Sequence, residues 1–298
     1  MSTNYNQETV NVQFINQSFL DKIDQGLTKE AGVASTAFVR QKLREDGIAR
    51  KILPPQAITA AELDRQLTEE PTVICEKEPD SVAATLPFLG RSEIRYWTTP
   101  RYPVTFQKLA SNDFRKSKFE LATYRTDIRT VLQENSVKDI QYQEDAGFLT
   151  NIQTIATANS NSVTISGGFS KTNLLAGVKQ YLARQLPVGC ILMSQQMYTD
   201  MLAFPSTDIG SPAASSLYMG EAVLDDFFGY KIITTNKVDL VASNKAYIFA
   251  PPQYLGQFYE LQGATVFLKA EMDFIEMTTY EAVGIGIGNV NGAFILSF

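Results

Sequence analysis

The stretch GATVFLKAEMDFIEMTTYEAVGIGIGNVNGAFILSF, residues 263–298, carries the reading of the whole chain. From Val266 it alternates strictly: Val266, Leu268, Ala270, Met272 and Phe274 are apolar, while Lys269, Glu271 and Asp273 point the other way. Period-two alternation is the mark of a strand with one buried face. After Phe274 the phase flips, with Ile275 and Met277 now the apolar members around Glu276. One extra residue in a ladder produces such a flip, so a β-bulge near Phe274–Ile275 is expected. Val283, Ile285 and Ile287 then alternate with Gly284, Gly286 and Gly288. Glycine at every second position strips one face of side chains and predicts a close approach by a helix or another backbone. Asn289 to Gly292 supply turn chemistry, and the apolar run Ala293–Phe298 predicts an end tied into a sheet rather than frayed.

Outward from this stretch, composition narrows the functions. The 298 residues suffice for one large or two modest domains, and 44% hydrophobic content is ordinary for a globular chain. No apolar run has the length of a membrane span, and Met1 to Glu8 lack the basic-then-apolar pattern of a secretion signal, which predicts cytoplasmic synthesis and no membrane partner. Histidine is absent, which removes Ser-His and Cys-His nucleophiles and ordinary zinc or haem ligation. A net charge of −6 argues against tight nonspecific binding of nucleic acid. Cys75 and Cys190 read as buried thiols, with an inter-subunit disulfide through Cys75 as the rival.

Other motifs resolve towards structure. Gly284-x-Gly286-x-Gly288 lacks room for the helix that a dinucleotide fingerprint requires. Glu144-Asp145 and Asp225-Asp226 are adjacent carboxylates; neighbours on a helix diverge by about 100°, so solvated charge or a salt bridge to another subunit outranks a metal. Arg40, Lys42, Arg44, Arg50 and Lys51 form a basic patch without stacking aromatics, which reads as a solvated face or a contact for an acidic protein partner. No cofactor site and no catalytic motif are visible.

Along the chain, residues 1–45 read as an arm with short helical stretches at 14–23 and 37–43. Thr59 caps a short helix through Leu67, with Glu62 in the capping-box position. Residues 71–106 look extended, with Thr72–Glu76 and Glu93–Thr98 as paired strands and Pro87, Pro100 and Pro103 restricting regular pairing. Such a hairpin has no interior of its own and leans on a neighbouring surface. Tyr124–Ala156 is the longest helix candidate, with Asn135-Ser136 as a break or kink; at full length it spans roughly 50 Å. Thr172–Arg184, Gln195–Ala203 and the strands Cys190–Met193, Gly229–Thr235 and Lys245–Ala250 make a compact α+β unit, interrupted by a loop at 204–219.

This order of elements resembles the tailed-bacteriophage major capsid proteins of the Hong Kong 97-like (Johnson) fold. Local wording is similar as well: Phe38 to Asp46 followed by Ile52-Leu-Pro-Pro, Arg101-Tyr-Pro-Val-Thr-Phe entering the spine, Ile191-Leu-Met-Ser, and Phe228 to Asn236. The resemblance implies an α+β chain with an N-terminal arm (1–45), an extended hairpin region (46–110), a peripheral domain with a spine helix (111–160 and 263–298) and an axial domain (161–262). It implies a non-enzymatic shell subunit, forming hexamers and pentamers of an icosahedral head around double-stranded DNA touched without specificity. Portal, scaffolding and cement or decoration proteins are the implied partners, and the virion the implied location. Inter-subunit contacts are expected at Arg40, Arg44, Lys77, Glu78, Arg91, Trp97, Arg101, Asp208 and Tyr218, within the arm, the hairpin and the axial loop 204–222. Rival readings are an encapsulin-type nanocompartment, a tail-tube filament, and a histidine-free enzyme built on carboxylates such as Asp225 and Asp226.

Overall fold

The computed structural model describes residues 47–64, 70–78, 83, 85–91, 94, 99–111, 113–119, 128–202, 204, 226–227 and 229–298. The arm, the expected helix beyond Asp64, most of the Glu93–Thr98 segment and the axial loop lie outside them.

Two six-stranded sheets organise the described residues. The first runs in the order β1 (Pro55–Ala57), β10 (Gly256–Glu271), β11 (Phe274–Ile287), β3 (Arg101–Ala110), β2 (Thr72–Glu76), and β4 (Phe114–Ser117) pairs with the far end of β11. The second runs β5 (Ser162–Thr164), β12 (Ala293–Ser297), β9 (Lys245–Phe249), β6 (Cys190–Ser194), β8 (Tyr230–Thr235), β7 (Asp226–Phe227). The terminal apolar run is thus a strand, paired with β5 on one side and β9 on the other. Its partners all fall within 161–262, so the second sheet takes one strand from the end of the chain.

The phase flip after Phe274 has a different cause from the expected bulge. β10 and β11 form an antiparallel hairpin in which Glu271 faces Phe274 across the two-residue turn Met272-Asp273, with Met272 at φ 40°. Pairing residue i with i+3 puts even positions of one strand opposite odd positions of the next. Val266 therefore shares its face with Thr279, and Ala270 with Ile275. Register shifts do occur, but earlier in β10, between Glu260 and Gln262 and between Gln262 and Thr265. The stripped glycine face is covered by side chains of β3 rather than by a helix or a backbone. A Cβ built on Gly286 would lie 2.3 Å from Val104 Cγ2, and one on Gly288 would lie 2.8 Å from the Tyr102 ring. Large β3 residues and β11 glycines fill one layer between them.

The partner of β2 also differs from expectation. Thr72–Glu76 pairs antiparallel with Arg101–Thr105, nearer the spine than Glu93–Thr98. Pro103 sits inside this ladder opposite Ile74. Phe106 N–H and the Pro100 carbonyl both bond towards the β2 side, so even positions of β3 face β2. Pro103, at an odd position, turns its missing N–H to the other side, where pairing with β11 has already stopped at Phe106. The open edge of β2 is blunted by Asp64: its N–H donates to the Thr72 carbonyl (2.9 Å) and its Oδ2 accepts from Ile74 N–H. The expected capping box is present, with Glu62 Oε2 accepting from the Thr59 N–H (2.7 Å) and hydroxyl (3.0 Å). It caps only a 3₁₀ turn at Ala60–Glu62.

The spine helix α2 (Ile128–Ala158) runs unbroken through Asn135-Ser136 for 31 residues, about 46 Å at 1.5 Å per residue. Its Phe148, Leu149 and Ile152 share a core with Ile48, Ile52 and Leu53 of the short helix α1 (Ile48–Ile52) and its C-cap, with Phe258 and Val283 of the first sheet, and with Leu192, Tyr247, Phe249 and Ile295 of the second. The opposite face of the second sheet, formed by Ile191, Met193, Ile248, Phe294 and Leu296, packs on α3 (Lys171–Leu182) and α4 (Gln195–Leu202) through Leu174, Val178, Tyr181, Met197 and Met201. A strand buried on both faces needs an uninterrupted apolar run, which is why Cys190–Met193 does not alternate. Among the described residues no helix is long and apolar enough to cross a membrane.

Candidate inter-subunit interface

The β2–β3 ladder is the root of the extended loop. Beyond β2, the Lys77 N–H donates to the Pro100 carbonyl at 2.8 Å, carrying the pairing one step outward. Glu76 Oε1 accepts from Arg101 Nε (3.1 Å) and Nη2 (2.9 Å); both side chains are more than half exposed, so this pair adds little stability. The Lys77 ammonium lies 5.6 Å from the centre of the Tyr102 ring. Glu76, Lys77, Glu78 and Tyr102 share a cavity of about 350 Å³ with Gln253 and Tyr254 beneath the loop root. Arg91 is exposed.

At the loop tip, Gly90 N–H donates to the Pro87 carbonyl at 2.7 Å and closes a turn around Phe88 and Leu89. Proline supplies the fixed φ of such a turn. Phe88 and Leu89 are fully exposed, and Ile94 is nearly so. Large contiguous exposed apolar patches are characteristic of interaction surfaces. A second exposed apolar set sits at the end of the β10–β11 hairpin. Met272, Phe119 and Phe274 lie there, with the Arg115 guanidinium 4.5 Å from the Phe274 ring centre.

Of the nine expected contact residues, the structure brings Lys77, Glu78 and Arg101 together at the loop root and leaves Arg91 exposed near the tip. Arg40, Arg44, Trp97, Asp208 and Tyr218 lie outside the described residues. Phe88 and Leu89 were missed by charge-based reasoning. Their signal was an apolar pair between Pro87 and Gly90, where a turn places side chains in solvent.

The basic patch also needs correction, because Arg50 is buried. Its guanidinium makes a two-pronged bond to Glu144, Nη2 to Oε1 at 2.7 Å and Nε to Oε2 at 3.0 Å. It donates further to Glu281 and, at 3.3 Å, to Glu260. Glu144 and Asp145 are therefore not solvated, nor available to another subunit. Asp145 Oδ1 accepts from the Ala49 N–H (2.9 Å) and Oδ2 from the Lys237 ammonium (2.7 Å). Burial, followed by the negative charge of Glu144, pushes the Glu281 carboxyl up to about 8. Burial also raises Glu144, against the opposing pull of Arg50. For Arg50 burial acts downward, but the bonds and charges of Glu144 and Glu281 outweigh it and hold the guanidinium cationic. The cluster ties the segment that follows residues 1–46 to the spine and the first sheet. Both cysteines are free and buried; burial raises the Cys190 thiol to about 12.

No family model matches the sequence, and no curated protein matches it. Solved structures do. A chain of Microbacterium phage Oxtober96 superposes with a TM-score of 0.60 at 9% identity, covering 84% of this chain and 90% of that one. The capsid of cyanophage P-SCSP1u gives 0.59 at 11% identity over 82% and 86%. A virus-like particle from Pyrococcus furiosus gives 0.57 at 18% identity over 89% and 98%. The architecture is the α+β, Hong Kong 97-like fold of phage capsid proteins.

Proposed function

We propose that this chain is the major capsid protein of a tailed bacteriophage, a structural and non-enzymatic subunit. Copies assemble into hexamers and pentamers of an icosahedral head that encloses double-stranded DNA. The observation that carries the reading is the loop tip. Phe88 and Leu89 lie in a hydrogen-bonded turn yet are wholly exposed, in a fold shared with shell-forming proteins. A protomer that leaves such side chains in water gains burial when a neighbour covers them. Head-to-tail contacts of this kind close into rings and shells when the rotation allows. An acidic subunit, at −6, does not cling to packaged DNA.

In this reading the arm is 1–45 and the hairpin region 46–110. The peripheral domain is 111–160 with 263–298, and the axial domain 161–262, completed by β12. Contacts form through Lys77, Glu78, Arg91 and Arg101 around the loop, and through Arg40, Arg44, Trp97, Asp208 and Tyr218 elsewhere. Portal, scaffolding and decoration proteins complete the particle, assembled in the host cytoplasm.

Negative-stain electron microscopy of the purified protein tests the reading: closed shells tens of nanometres across support it, and monodisperse small oligomers refute it. The second reading is a cargo-holding nanocompartment of the same fold, a fold the chain also shares with a virus-like particle from Pyrococcus furiosus. Nuclease-protected genomic DNA inside particles from infected cells decides for the phage head; enclosed protein without DNA decides for the compartment.

A further inference from the structure

The cavity at the loop root has aromatic walls and a fixed backbone. Tyr102 lines it from β3, and Tyr254, 42% exposed, lines it from the short helix Pro252–Leu255. The Leu255 carbonyl accepts from both the Gly288 N–H (3.0 Å) and the Asn289 N–H (3.1 Å), which holds this part of the lining in place. Gly288 leaves room for the Tyr102 ring, which a Cβ there would meet at 2.8 Å. A dry cavity of about 150 Å³ admits one benzene ring. The volume of about 350 Å³ at the loop root therefore has room for a Phe ring and a Leu side chain together. Charge points the same way. At the root, Glu76 is paired with Arg101, and the Lys77 ammonium lies by the Tyr102 ring. Glu78 has no ion-pair partner among the described residues, and neither has Arg91, next to the tip turn. In their own chain Phe88 and Leu89 are wholly exposed, so their own cavity does not hold them.

We propose that the cavity at the loop root receives the Phe88-Leu89 tip of a second copy, with Phe88 against Tyr102 and Tyr254 and with Arg91 facing Glu78. This seat rests on the shell reading, which supplies the neighbours, and adds the place on them where the tip sits. Tip and cavity are different surfaces of one chain, so each copy gives a tip and receives one. A contact of this kind is heterologous and repeats from copy to copy around a ring. Aromatic rings packed edge-to-face or offset add to the burial of the tip, and opposite charges at the rim fix its register. The rival seat is the other exposed apolar set, Met272 and Phe274 at the β10–β11 turn. The acids beside it, Glu271 and Glu276, are already taken up by Arg115 and Lys269.

Disulfide capture between two full-length copies tests the seat. One carries Leu89→Cys, which keeps Phe88; the other carries Gln253→Cys in the cavity lining. Both positions are exposed, so neither change touches the core, and the native cysteines are buried. Under mild oxidation, positions 89 and 253 are expected to link roughly tenfold more than positions 89 and 272 do when Met272→Cys replaces Gln253→Cys, as read by mass spectrometry of the joined peptides. Adding Arg91→Glu to the first copy, or Glu78→Arg to the second, should each cut the yield roughly threefold, and both together should restore it. Shells that form without the 89–253 link, a preference for position 272, or a double reversal that restores nothing overturns the seat and leaves the shell reading standing. The link formed in small oligomers that never close supports the seat and refutes the shell. Neither link nor shell refutes both.

Discussion

Replacing both tip residues, Phe88→Ser with Leu89→Ser, separates assembly from folding. In the protomer these side chains are fully exposed, so the free subunit loses little. A surface change of this kind shifts stability by no more than about 0.5 kcal/mol, or under about 2 °C in melting temperature for a chain of this size. In the proposed shell the same atoms are covered. Full burial of a Phe or Leu side chain contributes about 1.5–3 kcal/mol, so the pair contributes roughly 3–6 kcal/mol per contact. At 1.4 kcal/mol per tenfold, that is about 10²–10⁴ in the dissociation constant between neighbours. Incomplete burial and ordering of the loop reduce this, and a rise of at least tenfold in the threshold concentration for shell formation is expected. Light scattering against protein concentration reads the threshold, and circular dichroism melting below it reads the subunit. Shells forming at the unaltered threshold refute the reasoning. So does a subunit destabilised by several kcal/mol, because the tip would then be covered within its own chain.

Arg50→Met removes the guanidinium that binds three buried carboxyls, and breaking a buried pair costs about 3–5 kcal/mol. Because Glu281 and Glu144 titrate upward of the ordinary range, both can take up protons in acid, and the cost should be smaller at pH 5 than at pH 7.5; urea unfolding at both values measures it. Gly286→Ala places a methyl 2.3 Å from Val104 Cγ2 and should cost about 1–3 kcal/mol in the same assay, partly recovered by pairing it with Val104→Ala. Thiol labelling at pH 8 should leave Cys190 unmodified until the chain unfolds; rapid native labelling would show that the β6 face is open. Deleting residues 1–45 should give a folded, soluble subunit that forms no shells, as seen by sedimentation; normal shells would remove the arm from the assembly mechanism.

The parts legible in the sequence were those where local pattern and long-range packing agree. The doubly buried run Cys190–Met193 and the amphipathic face Leu174, Val178 and Tyr181 follow from periodicity and took their expected form. The alternation after Val266, in contrast, gave a strand but no buried face beyond Val266: Ala270 and Phe274 are exposed and Met272 stands in the turn. A phase flip, by contrast, looks the same whether one residue is inserted in a ladder or the chain reverses over two. Only the pairing of Glu271 with Phe274 tells them apart. Partner choice for Thr72–Glu76 likewise depends on which downstream segment the rest of the sheet can accept, and β11 fixes Arg101–Ala110 beside it. The Arg50 cluster was illegible for a similar reason. Its members stand at positions 50, 144, 260 and 281, and neighbouring charges in sequence made Arg50 look like part of a solvated patch. At the candidate interface, charge pointed to the loop root, whereas exposure points to its apolar tip.

The place of Ala293–Ser297 between Ser162–Thr164 and Lys245–Phe249 has a kinetic consequence. On the ribosome, β5 emerges long before the strand that will lie beside it, and that gap stays open until the closing segment follows. Nascent or truncated chains therefore lack an interior strand, and with it Phe294 and Leu296 from the packing against α3 and α4.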